Sequence, residues 1–237
     1  MLKEVKKSEF KMFKDFGPTY FDYMAKAFFH NYPCCLAKIL GAFSLVHKQK
    51  GKEAVKRYFL LLENLNLGIK AEDEPHIQRF DLKGSELHRL VQSSDEDEGR
   101  LSEREKHVLM DSNFLLVNNG RPVLLHRKLA ELLHICINND TLCLQKYNIV
   151  DYSLVAIINK KARRIRFGII DYLQMYNLEK FFETQLKKAI NLGVSPTIIE
   201  PKAYRQRFTL FTRLYFQCAY WQPSGESKAE QDAEPRE

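Results

Sequence analysis

Asp151 and Asp171 stand beside runs of Val, Ile, Leu and Phe, where a buried strand ordinarily avoids charge. The runs are Ile149-Val150-Asp151-Tyr152-Ser153-Leu154 and Phe167-Gly168-Ile169-Ile170-Asp171-Tyr172. A basic turn separates them, so the two runs read as a hairpin that brings both carboxylates to one mouth of a core. One carboxylate taking a proton from a substrate hydroxyl, with a second holding magnesium on nucleotide phosphates, is phosphoryl-transfer chemistry. Lysines complement it. Lys83 leaves a strand in Phe80-Asp81-Leu82-Lys83-Gly84-Ser85, where an ammonium and backbone N–H groups can meet a phosphate, although the spacing is not that of a Walker loop. Lys3 ends a first strand ahead of a helix bearing Glu9, and a strand lysine with a helix glutamate can orient nucleotide phosphates. Each feature alone also has a plainer reading: a turn cap for Asp151, a partner for a hairpin arginine at Asp171, a strand exit at Lys83, a solvated lysine at position 3. The acidic pair taken together favours chemistry.

The elements that must position these groups follow from periodicity. Leu2 to Val5 reads as a strand. Lys7 to Phe16 carries Phe10, Phe13 and Phe16 at helical spacing, Gly17-Pro18 interrupts it, and a second helix runs from about Thr19 to His30. Ala37 to Val46 and Tyr58 to Leu62 are strand-like around the basic turn His47 to Lys52, and Glu63-Asn64-Leu65 leads out to a lobe boundary near residue 66. Gln78 to Leu82 opens the second part. Ser93 to Lys106 has almost no apolar residue and reads as an exposed or disordered insert. Val123 to Ile137 reads as a core-facing helix. Asp151 to Ile158 and Arg164 to Ile170 form the hairpin, with Asn159 to Arg163 as its turn. Leu178 to Ile190 is amphipathic, Lys202 to Tyr220 is a final aromatic-rich helix, and residues 223–237 read as a disordered tail.

The chain has 237 residues, 45% hydrophobic and 28% charged, with a formal net charge of +7. The tail from Pro223 holds two basic and five acidic residues, a net −3, so the body stands at +10. That excess favours an anionic partner: a phosphate ligand, an acidic membrane surface or a nucleic acid, the last resting on charge alone without a nucleic-acid motif. Five cysteines without zinc spacing suit packing in a reducing compartment. No run is long enough to span a bilayer, so the expectation is a cytoplasmic protein whose membrane contact is peripheral.

The motifs FDLKGS with Arg89 four residues after Ser85, the hydrophobic-DYSL run at Asp151 to Leu154, and GIIDY at Gly168 to Tyr172 resemble the catalytic domain of the phosphatidylinositol phosphate kinases, in order and from Leu2 to about Phe216. Within that family the chain looks most like the phosphatidylinositol 3-phosphate 5-kinase (PIKfyve-type) group. The residues that carry this are Phe13 to Phe21, Leu36 to Gly41, Glu63-Asn64-Leu65, and Pro196 to Pro201 before Tyr204 and Arg207-Phe208. The resemblance implies an α+β, two-lobed kinase-like fold of antiparallel sheets with flanking helices. Residues 1–66 would be the small lobe and 67–222 the large lobe, with ATP and Mg2+ in the cleft and a phosphoinositide on an anionic membrane as substrate.

Carried over by motif, Lys3 and Lys83 contact ATP phosphates and Glu63, Asn64 and Leu65 line the adenine. Asp151 and Lys83 act in catalysis, Asp171 holds the metal, and Glu9 partners Lys3. Arg89, Lys180, Lys160, Lys161, Arg163 and Arg164 are candidates to face headgroup or membrane. From the residues themselves, the hairpin cluster is either solvated surface or a contact for an anionic leaflet, and the 178–190 helix bearing Lys180 is either interfacial or core-packing. Regulatory or scaffold proteins are further partners that the resemblance suggests, and the PIKfyve-type assignment implies endosomal or vacuolar membranes. Two departures qualify the match. The family's glycine-rich strand pair, upstream of the leucine before Lys3, is not in the sequence, which implies truncation or a weak hold on ATP. After GIIDY, Leu173-Gln174 and Tyr176 resemble the phosphatidylinositol 4-phosphate 5-kinase branch, Leu178 stands where the PIKfyve type has tryptophan, and Phe181 replaces one lysine of a pair. The alternatives are phosphatidylinositol 4-phosphate as substrate and a kinase-like binding or scaffold protein.

Overall fold

The computed structural model describes residues 1–48, 50–51, 53–84, 108–176 and 200–219. Strands β1 (Leu2–Val5), β2 (Ile39–His47) and β3 (Val55–Leu62) form an antiparallel sheet in the order β1-β3-β2. Strands β4 (Ile77–Leu82), β5 (Val108–Leu109), β7 (Ser153–Asn159) and β8 (Arg164–Ile170) form a second sheet, ordered β5-β4-β7-β8, in which only β5 runs parallel to its neighbour. A small parallel pair joins β6 (Val123–Leu125) to β9 (Phe216–Cys218). Around them lie helices α1 (Lys7–Phe29), α2 (Asp111–Val117), α3 (Arg127–Lys146) and α4 (Pro201–Tyr215). The architecture is α+β, as expected.

The β7–β8 hairpin forms where its β-branched pattern places it, in register from Ser153–Ile170 to Asn159–Arg164. Its turn closes through Asn159 Oδ1, which accepts the Ala162 N–H at 2.8 Å. The two larger sheets are tied by the segment before β2. Ala37 N–H donates to Ile169 O at 2.9 Å, Ile169 N–H donates to Cys35 O at 2.6 Å, and the Tyr172 hydroxyl donates to Ala37 O. The end of β8, which leads directly to Asp171, is thereby fastened to the start of β2.

Three expected elements differ. Gly17-Pro18 does not divide the first helix; α1 is continuous, with Pro18 inside it. A proline inside a helix costs about 3 kcal/mol, whereas fully burying one large apolar side chain gains about 1.5–3 kcal/mol. Phe13, Phe16 and Tyr20 all face the core from this helix, so burial outweighs the local penalty. The helix expected from Val123 begins instead as β6, and α3 starts at Arg127, with the His126 ring accepting the Lys128 N–H, and runs on to Lys146. The last helix ends at Tyr215 because Phe216 to Cys218 pair with β6, a partner about 90 residues away that local pattern cannot reveal. The insert at 93–106, the amphipathic stretch at 178–190 and the tail at 223–237 lie outside the described residues.

Asp140 on α3 is fully buried and joins three elements. Its carboxylate accepts the Tyr23 hydroxyl at 2.5 Å, the Cys35 N–H at 2.7 Å and the Cys35 thiol at 3.2 Å, linking α3 to α1 and to the segment ahead of β2. Burial raises its pKa, against which these donors act. All five cysteines are free thiols, buried or half-buried, and burial pushes the Cys143 thiol up to about 11, as suits packing residues. Asp140→Ala leaves the Tyr23 and Cys35 donors without their acceptor. It is expected to lower unfolding stability by roughly 3 kcal/mol, measured as a fall in the urea midpoint at unchanged m-value.

Candidate active site

The two sheets enclose a cavity of about 590 Å3, within the ~300–1,000 Å3 range of small-molecule sites. Its walls are largely apolar, with Val5, Ile39 and Leu60 from the first sheet and Phe80, Val155 and Ile157 from the second. Its polar groups include Lys3, Lys83, Asp151 and Asp171, all four anticipated from the sequence and brought together here. Glu63, Asn64 and Leu65 form the connection beyond β3 and line the same cavity.

Each carboxylate holds a lysine from a distant part of the chain. Lys3 Nζ donates to Asp171 Oδ1 at 2.5 Å, across 168 residues, and Lys83 Nζ donates to Asp151 Oδ1 at 2.5 Å. In the Lys3–Asp171 pair the side chains are 40% and 45% exposed. An ion pair so wetted is worth about 0–1 kcal/mol, so a phosphate or a divalent cation competes with it readily. Asp151 and Asp171 both adopt left-handed backbone, at φ 63° and 59°. Aspartate tolerates this conformation better than most residues, and such backbone clusters at functional sites. It turns each carboxylate off the end of its strand and into the cavity mouth.

Glu9 does not take the part expected of it. Lys3 goes to Asp171, and the Glu9 carboxylate instead accepts the Lys6 N–H at 2.8 Å, capping α1, while still lining the cavity. The Glu63 side chain pairs with Lys38 at 3.1 Å, and its backbone N–H donates to Lys38 O at 2.8 Å, so its role at the cavity is to fix the connection. A Cβ on Gly168 would come within 2.5 Å of the Leu65 side chain, so this glycine lets Leu65 lie flat on β8. Lys160, Lys161, Arg163 and Arg164 form an exposed basic turn. The neighbouring Arg166 instead holds the connection, donating to Leu65 O at 3.2 Å and Leu67 O at 2.5 Å. Arg89 and Lys180 lie outside the described residues.

Two residues that the sequence reading missed position Lys83. Asp111, fully buried at the start of α2, accepts the Lys83 N–H at 3.1 Å and the Gly84 N–H at 2.8 Å. The parallel β4–β5 pairing delivers it there. Phe211 of α4 packs onto Gly84, which sits at φ 67°; a Cβ at that position would meet the ring at 2.2 Å. Asp111 lies 28 residues from Lys83 and belongs to no recognisable motif, so local pattern does not point to it. On the other side, the Tyr204 hydroxyl donates to Tyr152 O and steadies the backbone next to Asp151.

The family model for phosphatidylinositol-4-phosphate 5-kinase matches residues 1–165 and 156–215, and the chain belongs to that family. It is 34% identical over 215 residues to the 1-phosphatidylinositol 3-phosphate 5-kinase of Saccharomyces cerevisiae, covering 88% of this chain and 9% of that protein. It is 33% identical over 220 residues to the human enzyme of the same name (91% and 10%) and 32% identical over 246 residues to an Arabidopsis thaliana 1-phosphatidylinositol-3-phosphate 5-kinase (99% and 13%). The chain thus spans only a small part, 9 to 15%, of the length of the curated relatives it matches.

Gly84→Ala adds both an unfavourable φ and a clash with Phe211. It is expected to cost about 2–4 kcal/mol in denaturant unfolding. Combined with Phe211→Ala, which removes the clash, the double variant is expected to be at least about 1 kcal/mol less destabilised than the two single effects summed.

Proposed function

We propose that this chain is the catalytic region of a phosphoinositide kinase, transferring the ATP γ-phosphate to an inositol hydroxyl of a membrane phosphoinositide. The observation that carries the reading is the meeting of Lys3, Lys83, Asp151 and Asp171 at one cavity between two sheets. The curated relatives named as 1-phosphatidylinositol 3-phosphate 5-kinases favour phosphatidylinositol 3-phosphate as the lipid. In this reading the sheet of residues 2–62 and the sheet of residues 77–170 belong to the small and large lobes, and Glu63 to Leu65 sit beside the adenine.

Asp151 takes the proton of the attacking hydroxyl on its carboxylate while Lys83 turns from it toward the phosphate oxygens. Lys3 does the same from the other side, and both ammoniums neutralise charge that grows in the transition state. Among the described residues no cluster of three or more His, Cys, Asp or Glu could hold a metal alone. A single carboxylate at Asp171 nevertheless fits magnesium, which is commonly bound through one or two carboxylates plus substrate phosphates. When bound, Mg2+ would neutralise the phosphate oxygens and fix their geometry.

Among the described residues no helix is long and apolar enough to cross a membrane. The turn bearing Lys160, Lys161, Arg163 and Arg164 supplies the attraction to an anionic leaflet, at about 1 kcal/mol per charge near the surface.

The test is transfer of labelled γ-phosphate from ATP to vesicles containing phosphatidylinositol 3-phosphate or 4-phosphate, by a protein carrying this chain. Asp171→Asn, which keeps a residue tolerant of left-handed backbone, is expected to abolish transfer with vesicle association unchanged. Replacing Lys160, Lys161 and Arg164 by glutamine is expected to weaken association and its salt dependence. No transfer to either lipid by a folded wild-type protein would overturn the reading.

A further inference from the structure

A second cavity, of about 270 Å3, lies between α3 and α4, and shares no lining residue with the first among the described residues. Arg205, Thr209 and Arg213 line it from α4 at positions i, i+4 and i+8, one face of a helix. His134 and Asn138 line it from α3 at i and i+4, and Ile137 and Leu210 supply its apolar surface. No aspartate or glutamate lines it among the described residues. Two guanidiniums therefore line it with no carboxylate beside them among its described lining residues.

The hydrogen bonding sharpens this. Arg205 Nη2 donates to Asn138 Oδ1 at 2.7 Å, which orients the guanidinium along the cavity. Its Nε is buried and, among the described residues, has no hydrogen-bond partner. A buried N–H left unmatched costs about 1–3 kcal/mol, so such a group calls for a partner, a water or an anion among the candidates. His134 Nε2 lies 3.2 Å from Phe216 O, and burial, with Arg213 adding to it, holds the ring below its usual pKa. That direction favours the neutral ring, which leaves the arginines as the charged groups. A guanidinium presents planar paired donors that match phosphate oxygens, and two of them on one helix face make a clamp.

We infer that the α3–α4 cavity is a binding site for a phosphate group, held by Arg205 and Arg213 with Asn138 orienting the first. The volume falls below the ~300–1,000 Å3 of sites for drug-sized ligands, so the site takes a single phosphate, free or on a small headgroup, and not a nucleotide. Its position ties it to the catalytic cavity through one residue. Tyr204, adjacent to Arg205, holds the backbone beside Asp151 through its bond to Tyr152 O. A phosphate drawing Arg205 and Arg213 toward α3 braces the helix that carries this contact.

The orphaned Arg205 Nε–H gives a direct probe. Its 15N–1H resonance is followed in a protein carrying this chain during titration with inorganic phosphate at constant ionic strength. A parallel arm uses neutral phosphatidylcholine vesicles with and without a phosphatidylinositol monophosphate. The expected result is a saturable shift that Arg213→Gln, at an exposed position, weakens about tenfold or more. Arg205→Lys, which keeps the charge but not the fork, also weakens phosphate binding, measured by calorimetry. A shift with inorganic phosphate assigns a free anion; a shift only with the phosphoinositide vesicles assigns a lipid headgroup. No saturable shift in either arm, or one that Arg213→Gln leaves unchanged, overturns the inference.

Discussion

The candidate site depends on two aspartates held just past the ends of strands in a backbone conformation that few residues accept. Within β7 alternate side chains face the cavity, as Val155 and Ile157 do in its apolar wall, whereas Asp151 and Asp171 lie just past the strand ends, at its mouth. The left-handed turn at each position frees the carboxylate from that alternation. The strain is offset by the sheet around it: the β7–β8 ladder on one side, and on the other the bonds from Cys35 and Ala37 to Ile169. The same bonds tie the two large sheets together, so the cavity and the fold have a common fastening.

The lysines show a division between rigid support and labile contact. Lys83 is held by its backbone: the buried Asp111 accepts its N–H and that of Gly84, and Phe211 closes on the glycine. Its side chain remains free to exchange Asp151 for another anion. The Lys3 backbone is held opposite Leu60 in the β1–β3 ladder, while its side chain makes a half-exposed pairing with Asp171. Both ion pairs occupy the carboxylates with cations already in the protein. The Lys3–Asp171 pair, with both side chains near half exposed, is the weaker of the two and the more readily exchanged.

Much of this arrangement was legible in the sequence, and what was legible has a physical reason. A carboxylate beside Val, Ile and Leu is costly unless it does something, so Asp151 and Asp171 stood out, and the hairpin followed from period-two alternation. The partner of Lys3 was misread because spacing on a strand and helix suggested Glu9, whereas helix capping claims Glu9 and chain folding brings Asp171 from 168 residues away. Pro18 misled for the opposite reason: local propensity marks a break, and the burial of Phe13, Phe16 and Tyr20 overrides it. Asp111, Phe211 and the β6–β9 pair were invisible because each acts through a contact that exists only after folding. The α3–α4 cavity belongs to the same class, since Arg205 and Arg213 look like ordinary surface charges until α3 is laid against them.

The central claim is that Asp171 and the two lysines form one nucleotide-phosphate site. Calorimetric binding of ATP to a protein carrying this chain, with and without Mg2+, in the wild type and in Asp171→Asn, tests it most directly. The account predicts that Mg2+ tightens binding in the wild type and that Asp171→Asn removes this metal-dependent part while leaving metal-free binding in place. Binding that is indifferent to Mg2+ in the wild type, or a metal dependence that survives Asp171→Asn, would contradict it.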